Sequence, residues 1–345
     1  MIANRALRLL GHRVRRTNIR LLLYAICTPV FKSSLYRRLL EKSGNKAPEF
    51  LPTDIWPGNA NRGSITIEGD FECLGTVIRD ADTPWLATSV SDAWLTNVSE
   101  FDWLRDLRAV GSDAARARAR GLIKLWIETH GSRWQRNSWR PAVTGVRIAN
   151  WLGQREFLAI GADTNFLNQF DGSVHQQNRY LRHVIKFIPV GFDRILACKG
   201  LILTALSTKN SRQLSRWIKH LDREIEQQIL GDGGHVSRSP SIELSLLRHL
   251  IEIRSALRDA KEEVSHTLQT AIDKTAPMVR FFRHGDGGLG LFNGSDEDEG
   301  WLIDVVLTRS EARGKPLESA PHSGFERLSA NRTLLLVDVG KPPPA

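Results

Sequence analysis

The chain has 345 residues, of which 41% are hydrophobic and 25% charged, with a formal net charge of +10. That balance supports a packed core and excludes a disordered chain, and three widely spaced cysteines exclude a disulfide framework. The basicity is local: residues 1–50 hold eleven Lys/Arg against Glu41 and Glu49, so the remaining chain is near neutral and nucleic acid is not the favoured partner of the main fold.

Residues 1–44 form a basic segment that suits a membrane surface, an acidic partner or a polyanion, or stands as a solvated basic helix. Its apolar run LLLYAICTPVF (21–31) is shorter than the roughly 20 residues a spanning helix needs. The order, basic then apolar, is that of a signal peptide. No A-x-A site follows, however, FKSSLYRR restores charge at once, and Ile26 before Cys27 is too large for a lipoprotein site.

Residues 45–90 read as an irregular arm rich in Pro, Gly and Asn, with SITIEGDFECLG (64–75) alternating as a short strand pair. Residues 91–284 read as consecutive helical hairpins. Leu214, Trp217, Ile218, Leu221, Ile225 and Ile229 make one helix face, and Ala115, Ala119, Leu122, Ile123 and Trp126 another. Further helices are expected over 141–158, 165–188, 193–207, 240–260 and 264–283, joined by short connections. From residue 285 to 345 the texture changes. HGDGGLGLFNGSDEDEG is a glycine-rich, acidic turn region, and strands are expected over 301–307, 324–330 and 332–340. They read as the opening strands of a truncated β-sandwich. Cys27, Cys73 and Cys198 read as buried free thiols.

The phrases QQILGDGGHVSRSP, MVRFFRHGDGGLGLFNGS and PHSGFERLSANRTLLLVDVG, with WPGNANRG and FDWLRDLRAVGSDAARARAR, resemble the heparinase II/III-like polysaccharide lyase family, especially its alphaproteobacterial branch, from about residue 34 to 340. The resemblance implies a mainly α fold, an incomplete (α/α) toroid followed by a β-sandwich. It implies a carbon–oxygen lyase acting by β-elimination on uronic-acid polysaccharides such as glycosaminoglycans, in the periplasm or cell envelope. No small-molecule cofactor is implied, and the family's metal site belongs to sandwich strands outside this chain.

Elimination removes the C5 proton of a uronate and expels the C4 oxygen. An amide or guanidinium must neutralise the carboxylate, and a Tyr or His must move each proton. His235 and Arg238, on a connection where glycines end one helix and Ser239 and Pro240 can open the next, are candidate catalytic residues. His235 could be base or positioning donor, or could only tie the turn. Arg238 could meet the carboxylate or form an ion pair between helices. Tyr180 is the third catalytic candidate, three residues before His183 on one helix face and two after Asn178. Trp134, Arg136, Asn137, Trp139 and Arg140, in a loop before a helix starting near Pro141, suit an anionic sugar platform or anchor packing. Asn178 and His183 complete the candidate binding set; no metal ligands are assigned.

The sequence departs from the family where the resemblance places catalytic groups. Phe192 and Asp193 stand at an Asn-His pair, and Ile242 at a Tyr. That opens two other readings: a non-enzymatic carbohydrate-binding or envelope-assembly protein, or a helical interaction module with a docking basic N-terminus.

Overall fold

Thirteen helices are traced in the computed structural model, which describes residues 22, 24–41, 47–131, 134, 135, 137–296 and 298–342. The basic residues before Leu22, together with Lys42, Lys46 and Arg136, lie outside the described residues. Two short helices, α1 (24–32) and α2 (Ser34–Glu41), precede the arm. The chain then runs through α3 (Ala60–Glu68), the hairpin β1 (Phe71–Cys73) and β2 (Thr76–Ile78), α4 (Asp92–Glu100), α5 (Leu104–Val110) and α6 (Asp113–Trp126). It continues with α7 (Pro141–Ala159), α8 (Thr164–Val184), α9 (Phe192–Ser207), α10 (Ser211–Gln228), α11 (Pro240–Asp259), α12 (His266–Phe281) and α13 (Gly300–Ser310). Strands β3 (Ser319–Ala320), β4 (Phe325–Ala330) and β5 (Thr333–Asp338) close it as an antiparallel sheet in that order.

The long helices fall where the 3.6-residue periodicity placed them, and side-chain caps fix several starts. Ser112 accepts from Ala115 N–H before α6, Asp163 from Phe166 N–H before α8, and Ser265 from Leu268 N–H before α12. Two segments differ from expectation. The run 301–307 is helix α13, not a strand: Ile303, Val306 and Leu307 are its buried side, at helical spacing. Residues 64–68 belong to α3, started by Asn59, whose side chain accepts from Asn61 and Arg62 N–H; the strand pair begins only at Phe71. Of the three thiols only Cys198 is fully buried; Cys27 and Cys73 are half-buried.

Two compact units divide at Trp217/Ile218, inside α10. Helices α11 and α12 thus group with the C-terminal strands, and the change of texture at 284/285 is internal to the second unit. In the first unit the arm is not a loose linker. Asp54 accepts from Arg105 Nε at 2.6 Å and from Gln154 Nε2 at 2.5 Å, while Arg108 donates to Asp54 O and Trp56 O at 3.1 and 2.6 Å. A buried carboxylate satisfied this way holds the arm to α5 and α7.

Helices α7 and α9 touch backbone to backbone. A Cβ on Gly145 would lie 2.2 Å from Leu196 O, and one on Gly200 would lie 2.7 Å from Gly145 Cα. No larger residue fits without separating the helices. Gly200→Ala is therefore expected to destabilise the chain by about 1–3 kcal/mol. Urea unfolding measures this; a loss below the scatter between replicates would show that the helices separate freely.

Candidate functional site

Arg147 organises the first unit's interior. Its guanidinium is fully buried, donating to Gln177 Oε1 at 2.8 Å, Ser99 O at 3.0 Å and Ser138 O at 2.7 Å, with its carbon 4.1 Å from the Trp126 ring centre. Burial lowers its pKa to about 9, which leaves it charged at neutral pH. These bonds pin the segment before Pro141 between the end of α4 and the middle of α8. Trp139 is set by its indole N–H donating to His130 O at 2.9 Å, and Tyr180 donates to Trp139 O at 2.7 Å.

Against this base α1 and α2 lay Tyr24, Phe31, Tyr36 and Leu40. The Tyr24 and Tyr180 hydroxyls are 3.3 Å apart, Tyr36 Oη lies 2.8 Å from His183 Nδ1, and Arg179 donates to Leu40 O at 2.7 Å. Between them lies a narrow cavity of ≈ 20 Å³, walled by Phe31, Lys32, Tyr36, Trp134, Trp139 and Tyr180. Lys32 Nζ sits 4.5 Å from the Trp134 ring centre. Three sequence-selected residues, Trp134, Trp139 and Tyr180, therefore meet here. Lys32, Phe31 and Tyr36 were missed, because they lie in a segment whose basic and apolar character drew attention away from a site. Burial raises the Tyr180 pKa well above its ordinary 10.0, so its hydroxyl stays protonated; as placed it is a wall and not a base. His183 is exposed, and partial burial, then Arg182, Arg179 and Lys186, lowers its pKa. Asn178 is half-buried and points to another side of α8 than Tyr180.

Asn137 and Arg140 belong to different surroundings. Asn137 donates to Asp92 at 3.1 Å, and Arg140 faces Asp193 at 3.6 Å. Arg140 lines an open cleft of ≈ 380 Å³ with Asp92, Asn97 and Glu100. Among the described residues two carboxylates and one guanidinium line it, a balance that disfavours an acidic sugar.

In the second unit the turn after α10 is closed by an antiparallel bridge, Ile229 to His235. Gly233 has φ +95°, and a Cβ on Gly234 would lie 2.1 Å from Ser323 Oγ. Asp232 accepts from Ser323 N–H and Oγ, both at 2.7 Å. The strands thus press on the turn, and both candidate residues are covered. His235 Nε2 lies 3.1 Å from Gln228 Oε1 and Nδ1 2.7 Å from Ser237 Oγ; burial lowers its pKa to about 4. Arg238 donates to Ser323 O at 2.7 Å and also meets Lys341 O and the Asp338 carboxylate, its carbon 4.7 Å from the Phe325 ring centre. These contacts tie the turn to the strands rather than presenting either side chain to a sugar. Ser239 occupies the N-cap of α11 without a capping bond; its hydroxyl lies 2.8 Å from Ser295 Oγ. Ile242 stands half-buried in the first turn of α11. Among the described residues no group of three or more His, Cys, Asp or Glu could hold a metal ion.

The fold is that of known polysaccharide lyases. Heparinase III superposes with a TM-score of 0.58 at 13% identity, over 84% of this chain and 50% of that one. The heparan sulfate lyase HepC from Pedobacter heparinus gives 0.53 at 17% identity, over 88% and 55%. These likenesses fit the mainly α, incomplete (α/α) toroid followed by strands that the sequence implied, and at such identities they concern fold alone. A curated relative, FtsZ-localized protein C from Caulobacter vibrioides, is 31% identical over 296 residues, or 85% of this chain. The chain spans about half (50%) of that relative's length. No known protein-family profile matches the chain.

One titration in the second unit is testable. Glu243 is buried, accepts from His235 N–H at 2.6 Å, and burial raises its pKa to about 8. A raised carboxyl contributes stability that is full below about pH 4.5 and lost as pH rises through about 8. The depressed His235 acts oppositely, losing its contribution as pH falls from 6.5 through about 4. Between about pH 6.5 and 8 only Glu243 of these two titrates, so wild-type stability should fall by about 1–2 kcal/mol. Urea unfolding across that window should show the slope in the wild type and a flat line in Glu243→Gln. An unchanged slope in the variant would assign the proton elsewhere.

Proposed function

We propose that the chain is a non-catalytic binding module on a lyase fold, one that holds acidic polysaccharide without cleaving it. The Asp193–Arg140 pair carries this reading. Elimination requires a free cation or amide to neutralise the uronate carboxylate, beside a base for the C5 proton. At the Asn-His position implied by the resemblance stand an apolar ring and a carboxylate, and the guanidinium beside them faces that carboxylate at 3.6 Å. Ile242 offers no hydroxyl. Binding is supported separately by the exposed Lys32 beside the half-buried Trp134, a cation next to an indole at the mouth of the narrow cavity.

The curated relative favours a second, compatible reading: a non-enzymatic role at the site of FtsZ assembly. A fluorescent fusion is then expected to gather at the division plane and to disperse when FtsZ is depleted.

The catalytic question is settled by incubating the protein with heparan sulfate and alginate while following the ultraviolet absorbance of the unsaturated uronate product. No rise is expected, and retarded migration is expected in gels containing the same polymers, weakened about tenfold by Trp134→Ala. A rise in absorbance would overturn the non-catalytic reading. Unretarded migration in every polymer would overturn the sugar-binding one.

A further inference from the structure

Helices α1 and α2 carry two apolar faces. The inner one, with Tyr24, Phe31, Tyr36 and Leu40, packs on α8 through the contacts given above. Its ring pairs include Phe31 with Tyr180 and with Phe187, each at 6.2 Å between centres. That packing fixes the rotation of both helices and leaves the other face outward. Leu22, Ile26 and Val30 recur every fourth residue, Leu35 and Leu39 repeat the spacing on α2, and all five are between 55% and 69% exposed. A helix apolar on two sides has one side left to cover.

The surrounding charge identifies what covers it. Lys32, Arg182, Lys186 and Arg216 are exposed, and Arg179 is half-buried. The pKa of Arg182 is lowered by burial and by repulsion from Arg216 and Arg179, so these cations sit close together. Eleven of the chain's Lys/Arg lie within residues 1–50, against two acids. An exposed apolar stripe on helices that carry Lys32 and rest on the cationic end of α8 matches an anionic bilayer surface, where the stripe enters the acyl boundary and the cations meet headgroups. No helix among the described residues is long and apolar enough to cross a membrane, so the contact lies in the plane of the interface.

We propose that the outward face of α1 and α2 docks on an anionic lipid surface. The inference stands on the first unit alone and does not depend on polysaccharide binding. The test is sedimentation of the full chain with vesicles of phosphatidylcholine alone or mixed with phosphatidylglycerol at about 3:1. Binding is expected only with the anionic vesicles. It should fall at least about tenfold in Ile26→Asp/Val30→Asp and in Leu35→Asp/Leu39→Asp. Arg182→Glu/Lys186→Glu, which leaves the stripe intact, should weaken it comparably. Circular dichroism and an unchanged urea-unfolding midpoint would show that each variant is folded. A wild type that stays in the supernatant with both vesicle types overturns the proposal and assigns the stripe to a protein partner. Folded stripe variants that bind as tightly as wild type overturn it equally.

Discussion

A guanidinium held by carbonyls and a ring face at the centre of a hydrophobic unit is an expensive feature, and the first unit is arranged around one. Transfer of a charged group into a low-dielectric interior costs several kcal/mol unless its donors are satisfied. Arg147 meets that requirement with two backbone carbonyls, one amide oxygen and a tryptophan face. Each acceptor lies on a different stretch of chain: Ser99 at the end of α4, Ser138 before α7, Gln177 on α8. The cation is stable only while all three are in place, so it fixes their register. Trp139 and, through it, Tyr180 inherit their positions from that register, and so does the aromatic wall that α1 and α2 cover.

Arg238 performs the same task in the second unit by a different arrangement. Its acceptors are the carbonyls of Ser323 and Lys341 and the carboxylate of Asp338, with Phe325 beneath it. The glycines around it let two backbones approach closely enough for one side chain to reach both. A turn that reads as a presentation of imidazole and guanidinium is a clasp between helix and strand. The chemistry that would suit Arg238 to a carboxylate ligand, a planar set of donors, equally suits it to a row of carbonyls.

That equivalence explains what was legible in the sequence. The helices were, because burying one face imposes a period that survives in the residues, as from Leu214 to Ile225. The run Trp301–Leu307 was not: seven mostly apolar residues satisfy a strand or a buried helix side equally, and the deciding contacts come from elsewhere in the second unit. Strands β4 and β5 were legible as short β-type runs after a glycine-rich turn region. Among candidate site residues, type alone pointed to chemistry, and burial decided otherwise for Tyr180, His235 and Arg238. A signal for Arg147 was present, as the lone charge in the apolar stretch 141–152, where a cation must be either an error of patterning or a built interaction. Lys32 carried no such mark, since its partner Trp134 lies about a hundred positions away.

The proposed absence of lyase chemistry on a lyase fold draws on the same distinction. A catalytic carboxylate-holder must keep its donors idle until substrate arrives, and idle donors contribute nothing to folding. Arg147 and Arg238 spend their donors on carbonyls, an amide oxygen and a carboxylate, and Arg140 faces Asp193 across the cleft. Architectural guanidiniums are held by their cost if removed; a substrate-facing one is held only by its use. Asp193 costs the helix little, because the site is half-exposed and Asp in the first turn suits the helix dipole. Under the proposed reading, such a chain gives up elimination at little cost in stability while keeping the hairpins and the aromatic wall.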